Sequence, residues 1–217
     1  MKRAEKSKKS TTQIIQAAIK LYSKAGGPDI SVNQLCRENN ISKGKFYHYF
    51  SSKDDLLAVC GAYIVDDMRK GVENYIVDTS KPLAENLKSY YAARIDYWLG
   101  HTDYFMLAYT LLESKDYEFR KQFKPLRDEF DECLKEKMME ILKAANVKKN
   151  ISDSELLEVL KVVYDNMFLN DMYKMVASLL KGDIELAKKL NDDLVKLYTK
   201  LINVLLYGIL SEKAPRE

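Results

Sequence analysis

The sequence predicts an all-α fold, a small three-helix head followed by a larger helical domain, and three observations carry that expectation. Apolar residues return every three or four positions along most of the chain. Only 8 Gly and 4 Pro stand among 217 residues, too few to turn a series of β-hairpins. Helix-starting and helix-stopping residues bracket the periodic stretches, and a hydrophobic share of 47% is enough to bury a core in each part.

The first helix is expected over about residues 12–24, where Ile15, Ile19 and Tyr22 form one stripe with Ile14, Ala18 and Leu21 beside it. Residues 1–10, MKRAEKSKKS, read as a mobile basic tail, and Gly26-Gly27-Pro28 as the stop. Ser31-x-x-Gln34 is a capping box that starts a second helix near Val32, and Val32, Leu35 and Cys36 give it an apolar face. Asn39 and Asn40 tolerate the left-handed conformation that ends a helix, with Ile41 filling the corner. Ser42 caps the third helix, whose Phe46 and Phe50 fall at i and i+4 on one face. A fourth, over about residues 52–76, joins head to body without a flexible linker. Ser80-Lys81-Pro82 starts a fifth that reaches Gly100, and a short sixth covers about residues 103–112. Another extends to about residue 145, with Pro125 as its kink or its start. The last two occupy residues 152–180 and 183–210, parted by Gly182 as stop and Asp183 as cap. The implied domains are residues 1–53 and 54–217.

A helix as short as the third, rich in cations and aromatic hydroxyls, suits a major groove. Lys43, Lys45, Tyr47, His48 and Tyr49 point away from the Phe46/Phe50 face, and Gly44 lets the backbone approach a duplex closely. The alternative is a solvated basic helix. Charge supports the first reading. Residues 1–53 hold 11 Lys/Arg against 3 Asp/Glu, a net of +8, so the whole-chain charge of +3 leaves −5 on the other 164 residues. A basic head on an acidic body is the electrostatic footprint of phosphate binding.

Residues 12–57, from TQIIQAAIKLYSKAGG through ISVNQLCRENNISKGKFYHYFSSKDDLL, resemble the N-terminal domain of the TetR family of bacterial transcription regulators. The likeness lies in the helix-rich first segment, the S-K-G-x-[LF]-Y-x-[HY]-F signature and the S-K-x-x-L lead into the fourth helix. It departs from the family pattern at the turn, where Asn39 and Asn40 replace the usual Ala and Gly. The resemblance implies a helix-turn-helix DNA-binding domain joined to a helical ligand-binding and dimerisation domain. It implies double-stranded operator DNA as partner, met by Ser31, Asn33, Ser42, Lys43, Gly44 and Lys45, together with Tyr47, His48, Tyr49 and Lys53. It also implies a small-molecule effector in the body, and a homodimer whose last two helices make a four-helix bundle.

The body carries most of the aromatic residues, with 15 Tyr in the chain. Tyr90, Arg94, Tyr97 and Trp98 lie on the fifth helix, Phe105 and Tyr109 on the sixth, and Tyr164, Asn166, Met167, Asn170 and Tyr173 on the penultimate one. Aromatic walls with a few polar groups are what a small-molecule pocket requires, so these are candidate effector contacts. Such stripes also suit ordinary core. Arg94, with Tyr90, Tyr97 and Trp98 within one turn, either stacks on rings with its guanidinium in water or anchors an acidic ligand, whereas Asp165 and Asp171 would favour a cation. On the final helix Ala187, Leu190, Leu194, Leu197, Leu201 and Val204 alternate spacings of three and four, and Tyr198, Ile202, Leu205 and Ile209 widen the stripe. That width serves either the chain's own core or a second copy, with Leu190, Leu194, Leu197, Leu201 and Val204 as the candidate dimer contacts.

Enzyme chemistry finds little to work with. The only histidines are His48 and His101, so no two-His metal motif or His-based triad forms outside the head. The 8 glycines make no P-loop or Rossmann pattern, and neighbouring carboxylates such as Asp54-Asp55 diverge on a helix. No catalytic residue, metal or cofactor is expected. Cys36, Cys60 and Cys133 are widely spaced, which suits buried thiols in a reducing compartment. No run approaches the roughly 18 apolar residues of a membrane span, and a cytoplasmic protein without membrane contact is expected. The resulting expectation is a homodimeric, ligand-responsive transcription regulator, most simply a repressor. The competing readings are a helical ligand-binding or protein-interaction adaptor and a helical enzyme.

Overall fold

The computed structural model describes residues 2–25, 29–113, 115, 117–144 and 151–210, with 2–9, 162–169 and 207–210 described by backbone alone. The described residues form helices without a strand. They are α1 (Lys2–Ala25), α2 (Val32–Glu38), α3 (Lys43–Tyr49), α4 (Lys53–Glu73), α5 (Leu83–Gly100), α6 (Thr102–Leu112), α7 (Tyr117–Gln122), α8 (Lys124–Ala144), α9 (Asp153–Leu180) and α10 (Ile184–Leu210). Three features differ from the sequence reading. The expected basic tail is part of α1, in keeping with its Lys, Arg, Ala and Glu content. Pro125 lies in the first turn of α8, where a missing N–H costs nothing, so it marks a start and not a kink. Tyr117–Gln122 is a separate short helix. The expected stop at residues 26–28 lies outside the described residues.

Two compact units divide the chain, one from Met1–Met68 with His101–Phe130, the other from Arg69–Gly100 with Asp131–Glu217. The first is larger than the head expected at residues 1–53, because three helices do not close its core. Ile15, Ile19 and Tyr22 of α1, Leu35 of α2 and Phe46 of α3 are buried together with Leu56, Leu57, Cys60 and Ile64 of α4. Leu107 and Leu111 of α6 are buried in the same unit. A Cβ on Gly61 of α4 would sit 2.7 Å from Leu126 Cδ1, so α4 and the start of α8 approach closely because this side chain is missing.

Local hydrogen bonds set the helix ends in this unit. Ser31 Oγ accepts from the Gln34 N–H at 3.1 Å and Ser42 Oγ from the Lys45 N–H at 3.1 Å. At the start of α4, Ser52 Oγ accepts from the Asp55 N–H at 3.0 Å while the Asp55 carboxylate accepts from the Ser51 N–H at 2.7 Å. The turn after α2 is a Schellman corner: the Ile41 N–H donates to Cys36 O at 2.9 Å and the Asn40 N–H to Arg37 O at 3.4 Å. Asn40 takes φ 52°, as the sequence suggested, while Asn39 stays at φ −106° and its Nδ2 donates to Leu35 O at 2.9 Å. The two asparagines therefore do different jobs.

In the second unit, α5 buries Leu87, Tyr90, Tyr91, Ile95 and Trp98, and α10 buries Ala187, Leu194, Tyr198, Ile202 and Leu206. Tyr91 and Tyr198 stack, with ring centroids 5.1 Å apart. Buried Asn86 holds the loop before α5, accepting from the Asp78 N–H at 3.1 Å and donating to Asp78 O at 2.8 Å. Lys137 of α8 reaches the end of α4, donating to Tyr75 O at 3.1 Å and Glu73 O at 3.4 Å, so a cation sits where a helix C-terminus concentrates carbonyl charge. Ser152 and Glu155 form a full capping box at the start of α9. Gly182, at φ 81°, closes a second Schellman corner, its N–H donating to Leu179 O at 3.0 Å and that of Asp183 to Ser178 O at 3.0 Å. Asp183 then caps α10, accepting from the Leu186 N–H at 3.0 Å.

At the left-handed corner Asn40 holds a side chain at a positive φ that glycine adopts without cost. Asn40→Gly is expected to raise the midpoint of the head's urea unfolding, and Asn40→Ala to lower its stability by about 1 kcal/mol. Equal midpoints for the two variants would show that this dihedral carries no strain.

Candidate nucleic-acid interface and effector cavity

A helix of seven residues must be held by its neighbours, and α3 is held by one side. Phe46 is fully buried and Phe50 nearly so, with ring centroids 5.7 Å apart. On the other side Lys43, Gly44, Lys45, Tyr47 and His48 are exposed and Tyr49 is half-buried. A Cβ added to Gly44 would meet nothing within 4 Å, so the glycine is not required by the protein's own packing. Ser31, Asn33 and Ser42 are exposed at the starts of α2 and α3, and Lys53 is half-buried at the start of α4. The candidate DNA contacts thus lie at helix N-termini and on the outer side of α3, all within one unit. This is the arrangement of a helix-turn-helix, with a short second helix free to enter a groove while the first supports it.

The second unit holds a cavity of about 290 Å³ among α5, α8 and α9. Tyr90, Tyr91 and Arg94 of α5 line it with Leu134 and Met138 of α8. Leu157 and Leu160 of α9 complete the apolar wall, and Asp131, Lys135, Ser154, Glu158 and Lys161 stand around it. Arg94 is buried, 7% exposed, with its guanidinium carbon 5.8 Å from the Tyr90 ring centroid. The Tyr90 hydroxyl is buried without a well-formed hydrogen bond among the described residues, and burial holds its pKa above the usual phenol value, the nearby Arg94 acting in the opposite direction. Lys161 Nζ donates to the Asp131 carboxylate at 3.2 Å.

Of the candidate effector residues, Tyr90 and Arg94 line this cavity. Trp98 is buried and does not line it, and Tyr97 packs toward Gly71, where an added Cβ would lie 3.4 Å from its ring. Phe105 and Tyr109 belong to the other unit and stack on each other, with centroids 6.1 Å apart. Asn170 is exposed and Tyr173 half-buried, and neither reaches the cavity; Asp171 accepts from Lys174 at 3.0 Å. Tyr164, Asp165, Asn166 and Met167 lie outside the described side chains. The sequence reading missed the whole α8 wall and the first turns of α9. Leu134, Met138, Leu157 and Leu160 are the spacing of two facing helices, but aliphatic residues between charges give no signal that separates a cavity wall from a core.

On α10 the two sides separate. Leu194 is buried in its own chain, with Tyr198 and Ile202, and so departs from the proposed intermolecular set. Leu190, Leu197 and Leu201 are half-buried, and Val204 is 60% exposed, joined by exposed Leu186 on the same face. The candidate contacts therefore keep an open apolar stripe once Leu194 is removed. Cys36, Cys60 and Cys133 are free and buried, and burial pushes the Cys60 thiol up to about 12. No group of residues that could hold a metal ion, and no helix long and apolar enough to cross a membrane, occurs among the described residues.

The head has the form of a helix-turn-helix. Residues 14–60 match the family model for bacterial regulatory proteins of the tetR family. An uncharacterized HTH-type transcriptional regulator of Bacillus subtilis, YerO, is 35% identical over 100 residues, covering 45% of this chain and 34% of its own length. The chain spans about a third of the length of the curated relatives it matches. Regulatory protein TetR from Rhodobacter sphaeroides shares the fold with a TM-score of 0.62 at 14% identity, covering 87% of this chain and 96% of that one. FadR from Bacillus subtilis, in complex with stearoyl-CoA, aligns with a TM-score of 0.57 at 17% identity, covering 91% and 98%.

The orphaned hydroxyl makes Tyr90 testable without a ligand. Removing a buried tyrosine hydroxyl that has a good partner costs about 1 kcal/mol or more, whereas Tyr90→Phe is expected to leave the unliganded protein's thermal midpoint unchanged or raised. A clear fall in the midpoint would reveal a partner for that hydroxyl.

Proposed function

We propose that the protein is a homodimeric, ligand-responsive DNA-binding transcription regulator, a repressor released by its effector, and not an enzyme. The observation that carries the reading is the two-sidedness of α3, whose aromatic pair is buried while its lysines, Gly44, Tyr47 and His48 face outward. The family match over residues 14–60 and the +8 charge of residues 1–53 support it. The cavity is the effector site in this reading, and the stearoyl-CoA bound by FadR shows that one protein of this fold holds a ligand. Leu186, Leu190, Leu197, Leu201 and Val204 pair with a second copy, which places two recognition helices about one DNA turn apart. The effector acts by favouring a different position of α4, the helix whose residues belong partly to each unit. It can shift DNA affinity only by its own difference in affinity for the two states.

A gel shift on the DNA upstream of the protein's own gene tests the head. Binding that weakens steeply with salt is expected; Lys53→Ala should weaken all sequences and flatten the salt slope, while Asn33→Ala or Lys45→Ala should cost roughly 1–3 kcal/mol and relax sequence preference. Unchanged affinity in a Lys43→Ala, Lys45→Ala double variant would remove α3 from the interface.

Leu197→Arg tests the dimer. A buried unpaired cation at an interface costs several kcal/mol, so sedimentation should show monomers or aggregates in place of dimers, with DNA binding lost in parallel. A monomeric wild-type chain at micromolar concentration would refute the pairing.

A further inference from the structure

We infer that Asp55 is a positioning residue for DNA binding: its carboxylate fastens α4 to the turn that carries α3, so that the recognition helix meets the duplex at one fixed angle. The inference rests on the reading of α3 as the DNA-reading helix and adds a residue that acts through it. The link between the two helices is short, since α3 ends at Tyr49 and α4 starts at Lys53, leaving Phe50, Ser51 and Ser52. Phe50 is extended, at φ −133° and ψ 130°, and is held by burial. Ser51 is exposed, and Asp55 holds it: Oδ2 accepts from the Ser51 N–H at 2.7 Å and from the Ser51 hydroxyl at 2.9 Å. In return the Asp55 N–H donates to Ser52 Oγ at 3.0 Å. Two charge-assisted bonds and one neutral bond therefore converge from a single α4 residue on this link.

Charge makes the placement informative. A carboxylate beside a phosphate-binding surface opposes DNA binding by Coulomb repulsion, yet Asp55 stands in the first turn of α4 with Lys53. Favourable charge at a helix N-terminus does not account for it, because Asp54 supplies the same charge in the same turn. Bonding separates the two: Asp55 is half-buried and bonded to Ser51, whereas Asp54 is exposed. Without the Asp55 carboxylate, Ser51 returns to water, and α3 keeps its buried Phe46 but loses the constraint on its angle to α4. Long lysine side chains reach phosphates from a range of angles, whereas a contact to a base edge requires one geometry. Loss of the clamp therefore falls on sequence preference.

Fluorescence anisotropy with the full-length protein, on the DNA upstream of its own gene and on a scrambled duplex of equal length, tests this. Asp55→Ala is expected to weaken binding to the upstream DNA about tenfold and binding to the scrambled duplex by less than about twofold. A head that was only less stable would lower both affinities alike, and a carboxylate acting only by its charge would, on removal, strengthen both. Asp54→Ala controls for charge and should keep the wild-type ratio of the two affinities. Asp55→Asn, which retains an acceptor oxygen, should restore most of that ratio. Lys45→Ala should cost less in the Asp55→Ala background than alone, since a contact the loosened helix no longer makes cannot be lost twice. Circular dichroism checks that Asp55→Ala folds; if it does not, Ser51→Ala, which keeps the N–H bond to the carboxylate and loses the hydroxyl one, answers with a smaller fall in the same ratio. A wild-type ratio in Asp55→Ala, or an equal fall in Asp54→Ala, would overturn the inference and leave the regulator standing. A wild-type protein that binds both duplexes equally would overturn the reading of α3 as a sequence-reading helix, and this inference with it.

Discussion

Burial of Phe46 is the contact on which the outward surface of α3 depends. An isolated helix of seven residues is unstable in water, since the cost of nucleation is spread over too few hydrogen bonds. Helix α3 exists because Phe46 is fully buried among residues of its unit, with Phe50 beside it and Ser42 closing the first turn. The direction in which Lys43, Lys45 and His48 point follows from that anchoring, because on a helix the outward side is whatever the buried side leaves over. Leu56, Leu57 and Cys60 are buried in the same unit, so the start of α4 is as much a part of the head as α2.

Where a signal is local, it could be read from the sequence. Ser31, Ser42 and Asp183 cap helices as their positions suggest, and Asn40 and Gly182 take the positive φ that their residue types permit. The N-terminal boundary of α1 was not legible, because composition alone does not distinguish a basic helix from a basic tail. The extent of the first unit was hidden for another reason: α6, which begins at Thr102, joins it from far beyond the head expected at residues 1–53, and only packing, not periodicity, reveals such a partner.

The cavity shows the same division at the level of single residues. Tyr90 and Arg94 were visible because a ring and a cation stand one turn apart on α5, and both line the cavity. Phe105 and Tyr109 carry an equally strong aromatic signal, yet their stacking serves another unit. Residues on α8 carry no comparable signal, and they form a full wall. Aromatic content therefore singled out one helix of this cavity, α5, but not its enclosure, which is a property of three helices at once.

The corner at Gly182 has a consequence for the geometry of self-recognition. Two backbone hydrogen bonds and one left-handed dihedral join α9 to α10, so α10 has a fixed azimuth about its own axis. Each residue advances a helix by about 100°. One residue inserted after Gly182 would turn α10 by that angle, carrying Leu194, Tyr198 and Ile202 out of the core and bringing Leu190, Leu197 and Leu201 toward it. The corner acts as a phase setting, and one glycine torsion decides which row of leucines a second molecule could meet.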